Sequence, residues 1–99
     1  MELTISTGSL RRQAGECLAR VSDGDTFVVL RHGRPVAILR PAGSPDTWRR
    51  GRASATLMWR NLRVLMAAAR HEPVLITWYG AGTAVLEPLP SGSESKAEP

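Results

Sequence analysis

Hydrophobic and polar positions change their period twice within the first forty residues. Residues 1–6 (MELTIS) alternate apolar and polar side chains, which predicts a short strand. The apolar positions then recur at helical spacing, so we expect one helix with a single apolar stripe. Residues 22–25 (SDGD) predict the end of that helix. The stripe consists of Leu10, Ala14, Cys17, Leu18 and Val21.

A β-hairpin is predicted next. Residues 26–30 (TFVVL) are β-prone without polar alternation, as in a strand covered on both faces. Residues 31–34 (RHGR) predict a tight turn, and residues 35–39 (PVAIL) form the returning arm, where a proline is tolerated at the first strand position. Residues 1–41 therefore predict a β-α-β-β unit and an α+β fold class.

The pattern starts again after a linker. Residues 42–52 are rich in Pro, Gly and Ser and contain Trp48 and three arginines, so we interpret them as a basic linker. Residues 53–88 repeat the order of helix, turn, hairpin and final proline, which predicts a second copy of the unit. The hairpins match at a shift of 47 residues, whereas the helices match at either 47 or 48. Chance matches among common residues are the alternative explanation.

Composition limits the class of protein. With 99 residues, 42% hydrophobic and 22% charged, the chain has room for one ordinary domain or two very small units with a shared core. Cys17 is its only cysteine, so no intrachain disulfide forms. No apolar run is long enough to span a bilayer and no signal peptide is visible, so we expect a cytoplasmic protein without membrane contact. Residues 89–99 are polar and predict a disordered tail.

Positive charge is concentrated in the first half. The formal net charge is +4, and residues 1–52 hold nine arginines against five acids. Arginine's fork of donors suits phosphates and guanine edges. A GC-rich coding bias could also produce the high arginine content, so the clustering carries more weight than the count.

Residues 5–41 (ISTGSLRRQAGECLARVSDGDTFVVLRHGRPVAILRP) resemble the N-terminal unit of the prevent-host-death (Phd/YefM) antitoxin family. The marks are the IS opening, LRR in the first helical turn, the acidic-Gly turn and the RHGRPVAIL hairpin. The resemblance implies a unit that dimerises and binds operator DNA, in a type II toxin-antitoxin system that regulates its own transcription. Two tandem copies would then pack on each other as a pseudo-dimer.

Four arginines are the DNA-binding candidates. By position, Arg11 and Arg31 match the family's DNA-contacting arginines, and Arg12 and Arg34 are their neighbours. Arg11 and Arg12 also lie in the first helical turns, where free N–H groups favour a phosphate. The alternative is an ordinary solvated basic face.

The second unit departs from the family at these positions. Arg31 corresponds to Trp78 and His32 to Tyr79, while Arg11 corresponds to Met58 or Trp59. Its DNA contacts are therefore expected to be lost. Trp59, Trp78 and Tyr79 are candidates for a partner-binding surface, with simple core packing as the alternative.

The expected partners are operator DNA, a cognate toxin and further copies of the chain. Family antitoxins neutralise toxins with an acidic C-terminal extension, and only the short polar tail stands in its place here. A stand-alone transcriptional regulator, or a protein-interaction module with a vestigial DNA face, therefore stays open beside the antitoxin.

Catalytic and cofactor functions find little support. The candidate groups are His32, His71, Cys17 and scattered carboxylates, and they do not make a catalytic or metal-binding motif. The glycine turns lack the context of a nucleotide-binding loop. We therefore expect no enzyme, no cofactor and no metal; RNA remains a possible ligand of the arginines, although no stacking motif lies among them.

Overall fold

The computed structural model describes residues 2–43, 51–79 and 81–89. Within those ranges the chain forms an α+β domain with one six-stranded mixed sheet and four helices. None of these helices combines the length and the apolar character needed to cross a bilayer. The elements in chain order are β1 (Glu2–Ser6), α1 (Thr7–Arg12), α2 (Ala14–Ser22), β2 (Thr26–Arg31), β3 (Arg34–Pro41), β4 (Arg52–Ser54), α3 (Ala55–Arg60), α4 (Leu62–Ala69), β5 (Val74–Trp78) and β6 (Ala81–Pro88).

The sheet has the strand order β1-β2-β3-β6-β5-β4. Strands β1 and β2 are parallel, β2 and β3 form an antiparallel hairpin, and the same relations hold among β4, β5 and β6. The two hairpins join through antiparallel pairing of β3 with β6, in which Leu39 lies opposite Leu86. The two halves of the chain thus build one continuous sheet.

The helices cover one face of this sheet. Alternate strand residues point into the core, for example Val29 on β2 and Leu39 on β3, and they form one cluster with buried helical residues such as Leu18 and Leu65. This shared core supplies the burial that neither small half has alone. On the opposite face, Leu75 and Val85 are buried outside that cluster.

The first half contains the expected strand, helical segment and hairpin in that order. All five residues of the apolar stripe are buried. The prediction of a single continuous helix is wrong, because the backbone leaves helical geometry at Gln13 (φ −119°, ψ 30°), which separates α1 from α2. The Gln13 N–H still donates to the Ser9 carbonyl oxygen, so the break is a kink rather than a loop.

Strand β2 is not equally covered on both faces. Phe27 and Val29 are buried, while Thr26, Val28 and Leu30 are half-buried. The alternation arises because the helices pack on one face only. The prediction that both faces of this strand are covered is therefore wrong for the face away from the helices, which is only partly buried.

The second half has the order β4-α3-α4-β5-β6, which is the order of the first half. Its helices correspond to α1 and α2 at a shift of 48 residues, and β6 corresponds to β3 at a shift of 47. Strand β4 already begins at Arg52, so the expected linker is shorter than 42–52. Residues 44–50 of that linker, with Trp48, and residues 90–99 of the expected tail lie outside the described residues.

Candidate nucleic-acid interface

An open groove of about 510 Å³ brings residues from both halves together. Its walls come from α1, the β2–β3 hairpin, one side of α4 and the end of β6. Arg11 and Arg31, which are 20 positions apart in sequence, both line it. The other described lining residues are Thr7, Pro35, Val36, Leu62, Arg63, Met66, Ala67, Arg70, Pro88 and Leu89.

Arg11 is positioned by a capped helical turn. The Ser6 hydroxyl accepts a hydrogen bond from the Ser9 N–H at 3.1 Å, which fixes the start of α1. Leu10 is fully buried and sets which side of the helix faces the core. Arg11, the next residue, is exposed and lines the groove. The expected place of Arg11 and Arg12 beside the free N–H groups of the first turn is wrong, because α1 ends at Arg12 and both arginines lie in its last turn.

Arg12 occupies a different place. Its Nη2 donates to the Ser9 hydroxyl at 3.3 Å, and a Cβ atom built on Gly8 would lie 3.6 Å from its Nη1. The Arg12 guanidinium therefore folds back over the start of α1. It is exposed but does not line the groove.

Arg31 is held by a two-residue turn. Arg31 pairs with Arg34 at the end of the hairpin, and both turn residues have positive φ, 54° at His32 and 79° at Gly33. Positive φ at both central positions is the geometry that matches the twist of a tight hairpin. Arg31 lines the groove, whereas Arg34 is exposed on the other arm and does not.

Arg63 and Arg70 were missed by the sequence analysis. Both are exposed on or directly after α4, and both line the same groove as Arg11 and Arg31. Their spacing of seven residues places them on one side of a helix two turns apart, and that is the signal that could have found them. Their approach to Arg11 depends on how the two halves pack, which the sequence does not show.

The groove is electropositive. Its described lining contains four arginines and no acidic residue. Within the described ranges no hydrogen bond or ion pair is formed by the side chains of Arg11, Arg31, Arg63 and Arg70. Other arginines are paired, Arg40 with Glu87 at 2.9 Å and Arg20 with Asp25 at 3.8 Å. Four unpaired guanidinium groups around one depression create a site for an anion.

The three aromatic candidates do not form one exposed surface. Trp59 is 42% exposed and Tyr79 is 94% exposed, but Trp78 is half-buried and packs against the core. Trp78 also contacts the Tyr79 ring, with centroids 5.5 Å apart. A Cβ atom built on Gly15 would lie 3.8 Å from Cζ2 of Trp78, so this indole lies beside α2.

The remaining chemically active groups are separate from the groove. Cys17 is buried, and burial raises the pKa of its thiol, with Glu16 as a smaller cause. His32 and His71 are both exposed. In the part of the chain that the structure describes, no three His, Cys, Asp or Glu side chains come together to hold a metal ion.

Comparison of the chain with protein-family models, with curated proteins and with solved structures gives no significant match. The resemblance to the prevent-host-death family therefore stays a prediction that depends on the sequence marks given above.

Proposed function

We propose that the chain binds duplex DNA through the groove that Arg11, Arg31, Arg63 and Arg70 line, as an antitoxin-like transcriptional regulator. The observation that carries the proposal is the convergence of these four unpaired arginines on one open surface. Arg11 and Arg31, the two arginines that match the family's DNA-contacting positions, both line this groove.

The chemistry of the groove fits a phosphate backbone. Guanidinium groups bind phosphate oxygens with two parallel hydrogen bonds, and they also bind the O6 and N7 edge of guanine. Because the groove is open and its basic side chains come from several elements, it suits an extended polyanion better than a small enclosed ligand. Arg12 follows Arg11 in sequence and Arg34 pairs with Arg31; both are exposed and add positive charge without lining the groove.

The proposal includes a tandem duplication of the prevent-host-death unit. Equivalent positions of the two halves share local geometry as well as element order. The N-caps Ser6 and Ser54 have nearly identical backbone angles, φ −79° with ψ 159° and 158°. His32 and Tyr79, 47 residues apart, have φ of 54° and 55°. The N-cap angles are ordinary extended backbone, but positive φ is uncommon for residues other than glycine, so its recurrence at equivalent turn positions supports a common origin of the halves.

Binding to duplex DNA from the region upstream of the gene tests the proposal, with affinity measured by fluorescence anisotropy over a range of salt concentrations. Arg11→Ala and Arg31→Ala should each weaken binding several-fold and reduce the slope of log K against log [salt] by about 0.9, the value for one lost phosphate contact. Arg60→Ala is the matched control, because Arg60 is an exposed helical arginine outside the groove. Equal affinity and slope in all four proteins would contradict the proposal.

Protein interaction is the second candidate function, and the exposure of Tyr79 favours it. An aromatic side chain that stands almost free at a turn is a common anchor of protein interfaces. In that case the partner is a cognate toxin or another protein, and the arginine groove is vestigial. Failure of the wild-type chain to bind duplex DNA at low salt would favour this second function.

A further inference from the structure

The pairing of β3 with β6 has two-fold symmetry. Ala37 lies opposite Pro88 and Pro41 lies opposite Ala84, with Leu39 opposite Leu86 at the centre. A shift of 47 residues carries Ala37 to Ala84, Leu39 to Leu86 and Pro41 to Pro88. Exchange of the two halves therefore leaves the pairing unchanged, as in the interface of a symmetric dimer.

This pairing occupies the inner edges of both hairpins. Strand β3 has β2 on one side and β6 on the other, and β6 lies between β3 and β5. In the described ranges the edges of the sheet are β1 and β4. A second copy of the chain therefore has no free β3 edge at which it could repeat this pairing.

The two surfaces related by the symmetry differ in chemistry. At the shifts of 48 for the helices and 47 for the hairpins, Arg11 corresponds to Trp59, Arg31 to Trp78 and Arg63 to Gly15. The fourth groove arginine, Arg70, corresponds to Ser22. One surface thus has four arginines at these positions and the other has none.

The second surface is also filled. Gly15 lies where α4 has Arg63, and the Trp78 ring packs beside it, 3.8 Å from a Cβ atom built on that glycine. Trp78 is one of the partly buried hydrophobic residues that pack against the core. The equivalent of the basic groove is therefore occupied by an aromatic side chain of the chain itself.

We propose that one chain recognises a single, non-palindromic half-site of duplex DNA, and that Trp59, Trp78 and Tyr79 make no contact with DNA that contributes to affinity. The inference rests on the proposed DNA binding through the arginine groove. Symmetric dimers recognise palindromes because two equivalent surfaces meet two equivalent half-sites. Here both hairpins of the symmetric pairing belong to one chain, but only one of the two related surfaces has arginines at the four groove positions.

The number of arginines in the groove determines the expected salt dependence of binding. Four arginines that each neutralise one phosphate give a slope of log K against log [salt] of about −3.6. Two chains that bind one palindrome would give about twice that value. The salt slope and the stoichiometry are therefore two independent measures of how many chains bind one duplex.

Selection of bound sequences from a library of random duplexes, with the full chain, identifies the preferred site. Native mass spectrometry of the complex with the selected duplex then gives the number of chains per duplex. We expect a non-palindromic motif and one chain per duplex. A palindromic motif with two chains would overturn the inference while leaving the proposed DNA binding intact. No enrichment, together with no binding at low salt, would overturn both.

Two variants test whether the exposed aromatic residues Trp59 and Tyr79 contribute to DNA binding. Trp59→Ala removes an exposed aromatic side chain from α3. Tyr79→Asn removes the other exposed ring and introduces asparagine, which tolerates the positive φ at this position. Both should bind the selected duplex within twofold of the wild-type affinity, whereas Arg31→Ala should lose several-fold. A tenfold loss in either aromatic variant would show that the second surface also contacts DNA and would overturn the inference.

Discussion

Gly15 and Trp78 determine the difference between the two halves at the scale of single residues. The groove beside Arg63 is open, while the equivalent space beside Gly15 holds the Trp78 indole. A side chain as long as arginine at position 15 would compete with that indole for the same space. The two residues fit together, since the small Gly15 on α2 leaves room for the large Trp78 on β5.

Gly15→Ala should raise the free energy of unfolding by about 0.4–1 kcal/mol, because alanine loses less backbone entropy on folding and fits helical geometry. The added Cβ would meet Cζ2 of Trp78 at 3.8 Å, an ordinary van der Waals distance. Urea denaturation followed by tryptophan fluorescence measures the change.

Gly33→Ala is the matched control for that stability prediction. Gly33 has φ of 79° and open space around it, so the same substitution meets backbone strain without a steric clash. It should lower the free energy of unfolding by about 1 kcal/mol. A destabilised Gly15→Ala would mean that Trp78 packs more tightly on α2 than the structure indicates.

Helix capping distinguishes the halves at the scale of elements. Ser6 and Ser54 have the same N-cap backbone geometry, but only the Ser6 hydroxyl accepts a hydrogen bond from its helix, from the Ser9 N–H. The start of α1 is thus held more firmly than the start of α3. Arg11 is on the capped helix, so its placement at the groove depends on this bond.

Ser6→Ala should lower the free energy of unfolding by about 1 kcal/mol, because it leaves the Ser9 N–H without its acceptor. Ser54→Ala removes a hydroxyl that makes no capping hydrogen bond and should change stability by less than about 0.5 kcal/mol. Chemical denaturation of the two variants side by side gives both values. Equal losses would show that the Ser6 cap contributes nothing specific.

Element boundaries differed in how far the sequence predicted them. The apolar stripe of the first helical segment was correct at every position, because burial on one face imposes helical spacing. The break at Gln13 was not predictable, since glutamine is a good helix former and the change lies in one pair of backbone angles. The helical shift of 48 residues came only from the structure, because common apolar residues match at either shift.

The whole molecule joins its two halves through one central strand pair. Leu39 and Leu86 lie opposite each other at the centre and are fully buried. This arrangement also places residues of α1 in the first half and of α4 in the second half around the same groove. Sequence marks predicted Arg11 and Arg31 as site residues, whereas Arg63 and Arg70 join them only through the packing of the halves.

Mapping of the DNA contact by NMR tests the central claim most directly. Backbone amide shifts of the labelled chain are recorded during titration with the selected duplex. The account predicts that the largest changes fall along α1, at the β2–β3 turn and along α4, and that the amides of Trp59 and Tyr79 change little. Changes centred on Trp59 and Tyr79, or on the sheet face opposite the helices, would contradict it.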